Sequence, residues 1–567
     1  MNKYSNGRVK GFLHTDGRRM VNGDGETVVL RGYGVGNWMN PEGFMIGAQR
    51  NFGGAGGPAF GPLTLPARFE RGRSMKSTIR ELCGTAYSEY FEDQWINNYL
   101  QEGDIALMAE LGFNSVRLPV SARLFLEEEP GIHFIEKNFE VLDRVFSWCA
   151  KHHIYAILDM HGAPGGQSEL PCDDGIDNRA HVLTEPESRE RAMILWEEFA
   201  RRYKDCEAVG GYDLLNEPIS TMSAETLKGE LMSFYDEVIC RIRKIDRNHM
   251  FTVEGTRFSD DVSIFDHNYD PYCNNWCIHT HYYGFTPQAQ DLYRIIEPSV
   301  RLNVPLWIGE GGSSPEANGV FYEIAGTYNV GYALWTWKSA GNGMGTRTLS
   351  YPLPEGWEQM QKYFSDGGPR PSYEDSQKML NEMLESIKIE NNEVNRAAFR
   401  QTLRQAGSKL AAVGFDDERD SYSSCDYPFG NGYAYRTETR MEMPYRTGAE
   451  LAPCKMGSIM GPGGGMGRMM AGGPLQNLSL KLKCGEFVTY TIRNVQESSA
   501  LSVIFDEATE GGKLAFEAVN EKGDKICAEV NASCGEVPVL TLTEGEEWKI
   551  KVCCLEGTVQ MNELVFA

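Results

Sequence analysis

Along the first 390 residues, short apolar runs alternate with longer stretches whose apolar residues recur every three or four positions. Side chains alternate sides along a strand but return to one face every 3.6 residues in a helix, so the short runs read as strands and the longer ones as amphipathic helices. The predicted strands are TVVLRGYGV (27–35), NSVRLPV (114–120), IYAILDMHG (154–162), GGYDLLNEP (210–218), HMFTVEG (249–255), NWCIHTH (275–281), VPLWIGEGG (304–312) and VGYALWTWK (330–338). Helical patterns fall between most of them. In 104–112, Ile105, Met108, Ala109 and Leu111 share a face and Gly112 ends the run. Residues 139–153, 188–204 and 227–246 repeat the pattern at greater length. Strand–helix alternation predicts a parallel sheet. Eight such units predict an α/β fold of the (β/α)₈ TIM-barrel type over residues 1–390.

Two regions depart from this rhythm. Residues 40 to 90 sit between the first strand and its helix, and the run NFGGAGGPAFGPLTLP within them is Gly- and Pro-rich, hence loop. In a barrel such an insertion lies at the C-terminal face, either as a rim that shapes a pocket or as a tolerated surface loop. Residues 391–415 carry the last helical pattern and read as a helical linker. From 416 to 567 short alternating strands take over, among them LSLKLK, EFVTYTIR, KLAFEAVN and WKIKVCC, which predicts a C-terminal all-β sandwich. The stretch MGSIMGPGGGMGRMMAGG reads as a flexible loop, with a Met-rich metal site as the sharper alternative.

Composition narrows the partners. The chain has 567 residues and a formal net charge of −24. That charge repels nucleic acid and anionic membranes, leaving neutral ligands such as sugars. The N-terminus, MNKYSNGRVKGFLHTDG, lacks the apolar core of a secretory signal, so a cytoplasmic location is the expectation. No apolar run is long enough for a spanning helix. The 14 Cys are scattered, and reduced, buried thiols are expected. Cys273 and Cys277 have no second pair at zinc-site spacing, so no metal or cofactor is expected.

The chemistry concentrates at predicted strand ends, where barrel sites are built. They carry Arg117, His161, Asn216 with Glu217, Glu254, His279 and His281 with Tyr283 beyond, Glu310, and Trp335 with Trp337. Cleaving a glycoside needs a protonated carboxyl at the leaving oxygen and a carboxylate at the anomeric carbon. A guanidinium and a phenol near Glu310 would keep it ionised, while a less well paired Glu217 would hold its proton. Taken singly, each residue has a blander explanation: a rim carboxylate, a structural His, a core Trp. Their joint placement in consecutive units carries the argument.

The motifs RGYGVGNW, NSVRLPV, LDMHGAPGGQ, LLNEP, HTHYYG, LWIGEGG and LWTWK together resemble glycoside hydrolase family 5, and HGAPGGQ and WTWK are most similar to its exo-β-1,3-glucanase branch. The resemblance implies that Glu217 is the acid/base and Glu310 the nucleophile of a retaining β-glycosidase without a cofactor. It implies that Asn216 binds the sugar 2-hydroxyl, that Arg117 and Tyr283 lie close to Glu310, and that His161 and His281 line the subsite for the cleaved sugar. Trp335 would form its floor. Glu42, four residues after Trp38, would bind hydroxyls at the non-reducing end, with Trp38 beside it. Substrates implied are β-1,3-gluco-oligosaccharides or small β-glucosides cut from the chain end. The alternatives are an endo-β-glucanase, a glucolipid or aryl-glucoside hydrolase, a transglycosidase, a non-catalytic sugar-binding barrel, and a metal-dependent enzyme using His161, His281 and Glu310. SELPCDDGID departs from the family after HGAPGGQ, and the first insertion is long. MPYRTGAEL, GEFVTYTI and MNELVFA resemble family 6-type carbohydrate-binding modules, with Phe487 where Trp is common and Tyr435 and Tyr445 as stacking candidates.

Overall fold

A computed structural model describes residues 9–46, 69–283, 289–341, 348–366, 368–416, 442–444, 446–448 and 477–567. Eight parallel strands close into a barrel: β1 (Arg31–Gly34), β2 (Ser115–Ser121), β3 (Tyr155–Gly162), β4 (Val209–Asp213), β5 (Met250–Glu254), β6 (Trp276–Tyr282), β7 (Leu306–Gly311) and β8 (Gly331–Trp335). Closure is made by β8 on β1, with Tyr332 opposite Arg31 and Trp335 opposite Gly34. Every residue of β2 to β7 is buried, as expected of strands covered by side chains inside and helices outside.

The helices follow the predicted pattern with two differences. The insertion after β1 folds into α1 (Gly72–Cys83) and α2 (Thr85–Tyr99) before the expected α3 (Glu102–Leu111). Phe91, Trp95, Ile96 and Tyr99 share the buried face of α2. Trp95 Nε1 donates to the Asn37 carbonyl at 2.7 Å and Trp38 Nε1 to the Ile96 carbonyl at 2.9 Å, so the two tryptophans pin this helix to the end of β1. The Gly/Pro-rich run at 51–66 lies outside the described residues. Gly112 ends α3 in the left-handed conformation at φ 104°, as its position predicted. Around the barrel follow α4 (Glu136–His152), α5 (Pro186–Tyr203), α6 (Ala224–Arg243), α7 (Ala289–Leu302) and α8 (Pro315–Thr327), with α9 (Trp357–Asp366) and α10 (Tyr373–Ser386) after β8. The crossover from β5 to β6, residues 255–275, contains no helix. No helix among the described residues is long and apolar enough to cross a membrane.

The segment 391–415 is a helix only over α11 (Arg396–Thr402). After a turn at Gly407 (φ 88°) it becomes β9 (Lys409–Ala411), which pairs with the last strand of the chain. The end of the linker thus adds a strand to the C-terminal sheet, while Phe399 of α11 packs on Tyr33, Phe113 and Trp337 of the barrel. The C-terminal domain contains β10 (Leu480–Lys483), β11 (Phe487–Phe505), β12 (Gly512–Asn520), β13 (Lys525–Ala532) and β14 (Gly535–Phe566). The expected sandwich is realised as one continuous antiparallel network, because β11 and β14 are long and irregular. Residues 487–495 pair with 545–553, which also carry β12. Residues 498–505 pair with both 535–543 and 561–566. Buried side chains of both blocks, including Tyr490, Val503, Phe516 and Trp548, join one core with the barrel.

The domain is locked to the barrel by charge as well as by packing. Glu323 of α8 is buried between Arg493 of β11 (2.6 Å) and Arg31 of β1 (3.5 Å). Arg404 bonds Asp416 at 2.7 Å, and its side chain also donates to the Gly319 carbonyl of α8.

Candidate active site

The first-strand glycines make room for an aromatic ring. A Cβ on Gly34 would lie 2.7 Å from the Trp335 ring and one on Gly36 would lie 2.5 Å away, so only glycine lets that indole lie on the β1 backbone. There Trp335 stacks on His161, with centroids 5.3 Å apart and planes 3° from parallel. The peptide bond after Trp335 is cis. Gly309 plays the same part deeper down, since a Cβ there would meet the His279 ring at 2.0 Å.

Beneath the strand ends lies a layer of charge around Arg117, which is fully buried. Its Nε donates to Asp213 at 2.8 Å and its Nη1 to Glu310 Oε2 at 2.8 Å. Its Nη2 reaches Asn216 Oδ1 at 2.7 Å, Glu254 at 3.1 Å and Asp159 at 3.1 Å. One planar fork thus orients four carboxylates and an amide, which a single point charge cannot do. His161 Nδ1 is held by Asp159 at 2.8 Å, and its Nε2 faces Asn216 Nδ2 at 3.3 Å. His279 Nδ1 lies 3.1 Å from Asp213 and 3.2 Å from Glu254.

Glu217 and Glu310 meet above this layer. His281 Nδ1 bonds Glu217 Oε1 at 2.9 Å and lies 3.7 Å from Glu310 Oε1. A carboxylate oxygen of Glu217 lies within 4.8 Å of one of Glu310. Tyr283 donates its hydroxyl to Glu310 Oε1 at 2.7 Å. The proton affinities of the pair diverge. Burial pushes Glu310 up, but the charges of His281, Arg117 and His161 and the Tyr283 hydrogen bond overcome it and hold the carboxyl at about 2. Burial also pushes Glu217 up. The His281 bond and charge oppose that rise, Glu310 and Glu254 add to it, and the net shift is upward. Glu42, buried beside them, is raised to about 8, chiefly by burial against the lowering charge of His161.

Eight of the ten residues predicted for the site therefore form one hydrogen-bonded or stacked group: Arg117, His161, Asn216, Glu217, His281, Tyr283, Glu310 and Trp335. Glu42 adjoins it through the fields of Glu217, Glu310 and His161. Trp38 does not join it: the ring is fully buried with its N–H on Ile96, packed against α2 behind the rim. Of the two candidate histidines, His281 reaches both carboxylates and His279 lies one layer deeper. Asp159, Asp213 and Thr252 were missed. Each lies within an apolar strand, and Asp159 and Thr252 stand two residues before a strand-end polar residue. A period of two puts both members of such a pair on one face, which is the signal that would have found them.

Glu217, His281 and Glu310 present ligand-type atoms within 4.8 Å of one another, as do Glu254, His279 and His281; His161 is in neither group. In the first group both oxygens of Glu310 already accept hydrogen bonds, Oε2 from Arg117 and Oε1 from Tyr283.

Residues 76–341 match the family model for cellulase, glycosyl hydrolase family 5. This segment is a glycosyl hydrolase family 5 domain. Among relatives of the family 5 domain is a beta-xylosidase from Phanerodontia chrysosporium, 33% identical over 254 residues, which are 45% of this chain and 48% of that protein. Another is a probable glucan 1,3-beta-glucosidase A from Emericella nidulans, 30% identical over 171 residues, covering 30% of this chain and 40% of that protein. The chain thus spans about half or less of the length of these relatives. A crystal structure of an endogalactoceramidase aligns over 98% of this chain and 100% of that chain, at 15% identity and a TM-score of 0.44.

Proposed function

We propose that the family 5 domain hydrolyses β-glycosides with retention of configuration, Glu310 acting as nucleophile and Glu217 as acid/base. One observation carries this: the buried carboxyl of Glu310 and the partly exposed one of Glu217 approach within 4.8 Å, yet their surroundings hold Glu310 at about 2 and raise Glu217. Two-step enzymes place these groups about 5–5.5 Å apart, whereas single-displacement enzymes leave about 6.5–9.5 Å for a water molecule. In the first step Glu310 attacks the anomeric carbon, the glycosidic C–O bond breaks, and the Glu217 proton goes to the leaving oxygen. In the second, the Glu217 carboxylate takes a proton from water, whose oxygen displaces Glu310 and releases the β-sugar.

In this scheme Arg117 and Tyr283 keep Glu310 ionised and aimed. Asn216, oriented by Arg117, is placed to bond the 2-hydroxyl, and His161, His281 and Trp335 enclose the sugar. Glu42, neutral below about pH 8, serves as a hydroxyl partner beside His161. The substrates we infer are β-1,3-gluco-oligosaccharides attacked from the chain end, or small β-glucosides. The resemblance of HGAPGGQ and WTWK and the activity in the name of the Emericella relative support this reading, and that of the Phanerodontia relative extends it to xylosides.

The test is to incubate wild type and Glu310→Ala with β-1,3-gluco-oligosaccharides and follow products by proton NMR. Stepwise release of β-configured glucose, lost in the variant, is expected. Release of α-configured sugar overturns the two-step mechanism, and turnover surviving in the variant overturns the nucleophile. No turnover by wild type would move the reading to aryl xylosides and other β-glycosides.

A further inference from the structure

The acid/base has an unusual seat. Glu217 lies past the end of β4, at φ 42°, and is followed by Pro218. A non-glycine residue in the left-handed region persists only where its surroundings hold it, and a following proline restricts it further. What holds it is Glu254, the last residue of β5. Glu254 Oε2 accepts the Glu217 backbone N–H at 2.7 Å and lies 3.4 Å from His281 Nε2, an ion-pair separation. Its Oε1 faces Arg117 Nη2 at 3.1 Å and His279 Nδ1 at 3.2 Å. Both oxygens therefore face donors on two sides, and the carboxylate is fully buried. Its own backbone is clamped to α6: Tyr235 donates its hydroxyl to the Glu254 carbonyl at 2.8 Å and accepts the Glu254 N–H at 3.1 Å.

We propose that Glu254 is a positioning residue for the acid/base: it holds the Glu217 backbone and the back of the His281 ring, so that the Glu217 carboxyl stays on the leaving-group oxygen. It acts through these two groups and does not touch the substrate. The inference rests on the two-carboxylate reading above. An amide cannot replace the carboxylate, because only one of its two heads accepts while donors converge on both. Glu254→Gln therefore turns an NH₂ group toward either the Glu217 N–H or the Arg117 guanidinium.

The experiment compares kcat/KM of wild type, Glu254→Gln and Glu217→Gln on two aryl β-glucosides. The dinitrophenyl compound departs without needing a proton, and the phenyl compound needs one. Wild-type turnover of the dinitrophenyl compound tests the functional reading; the variants test this one. Glu254→Gln should lose about 10- to 100-fold on the phenyl substrate, part of the roughly 10²–10⁴ that a general acid contributes, and stay within about threefold on the dinitrophenyl one. Glu217→Gln should show the same selectivity in stronger form. A purely structural role would lower both substrates by one factor, and that result, or no loss on either, overturns the proposal. If the Gln variant fails to fold, Glu254→Asp, which keeps the charge one methylene short, provides the same comparison. If wild type turns over neither aryl β-glucoside, the same comparison is made on the dinitrophenyl and phenyl β-xylosides; absence of turnover on both sugars overturns the functional reading and this inference with it.

Discussion

Replacing Arg117 by Lys tests the charged layer most directly. The substitution keeps one positive charge in a fully buried position but discards the fork. Arg117 now spans Asp213 through Nε, Glu310 through Nη1, and Asn216, Glu254 and Asp159 through Nη2. A single ammonium cannot reach both Asp213 and Glu310, which the guanidinium meets at 2.8 Å on different edges. A hydrogen bond to a charged group contributes about 1.5–3 kcal/mol net. Losing the one that aims Glu310 should lower kcat/KM by about 10- to 150-fold, at about 1.36 kcal/mol per decade. Glu310 should also titrate higher, because Arg117 is among the charges that hold it at about 2 against burial. The acid limb of the kcat/KM profile, where the nucleophile gains a proton, then moves up in pH. The assay is hydrolysis of an aryl β-glycoside across pH, with thermal unfolding recorded in parallel. Arg117→Met is the contrast: it leaves buried carboxylates without their main counter-charge and should cost about 3–5 kcal/mol of folding stability, a large part of a typical total of about 5–15 kcal/mol. A Lys variant within about threefold of wild type, with the acid limb unmoved, would refute the claim that the fork orients Glu310.

Two further predictions concern stability. Glu42 is raised to about 8 from an ordinary 4.5, so the unfolded chain releases this proton near 4.5 while the native state keeps it. Wild-type stability should therefore fall relative to Glu42→Gln as pH rises from about 4.5 to about 8, by at most about 5 kcal/mol; urea unfolding at several pH values that shows a constant difference would refute it. Arg493→Met should destabilise by about 3 kcal/mol by leaving Glu323 buried with the more distant Arg31. Because burial opposes but Arg493, Arg31 and Arg404 hold Glu323 at about 2, the stability it contributes is present above the usual carboxylate range and is lost as pH falls toward 2. The difference between variant and wild type in urea should shrink over that interval.

Much of this protein is legible in its sequence. Barrel strands and helices announce themselves through periods of two and 3.6, which are local properties of the chain. The strand-end rule then offered Arg117, His161, Asn216, Glu217, Glu254, His279, His281 and Glu310 without distances, and the family resemblance narrowed the set. Local patterns misled where tertiary contacts decide. The insertion was assigned no helix, and its loop reading at 51–66 lies outside the described residues, yet α2 is stabilised by Trp38 and Trp95, whose partners lie 58 residues away. The linker read as helix, yet Lys409–Ala411 is captured by the last strand of the chain. Trp38 was expected beside Glu42 among the substrate-binding residues and is core. Glu254, read as a structural or rim carboxylate, is fully buried and accepts the Glu217 backbone N–H.

What the sequence by itself determined is the fold class, because periodicity is written in neighbouring residues; strand-end position offered Glu217, Glu254 and Glu310 as carboxyls, and the family resemblance singled out Glu217 and Glu310 among them. That Glu217 rather than Glu310 keeps its proton was expected from the sequence, but its physical cause exists only in the tertiary structure. That depends on the field of groups as far apart in the chain as Arg117 and Glu310, 193 residues, and on the loss of water around them, and neither exists until the barrel closes.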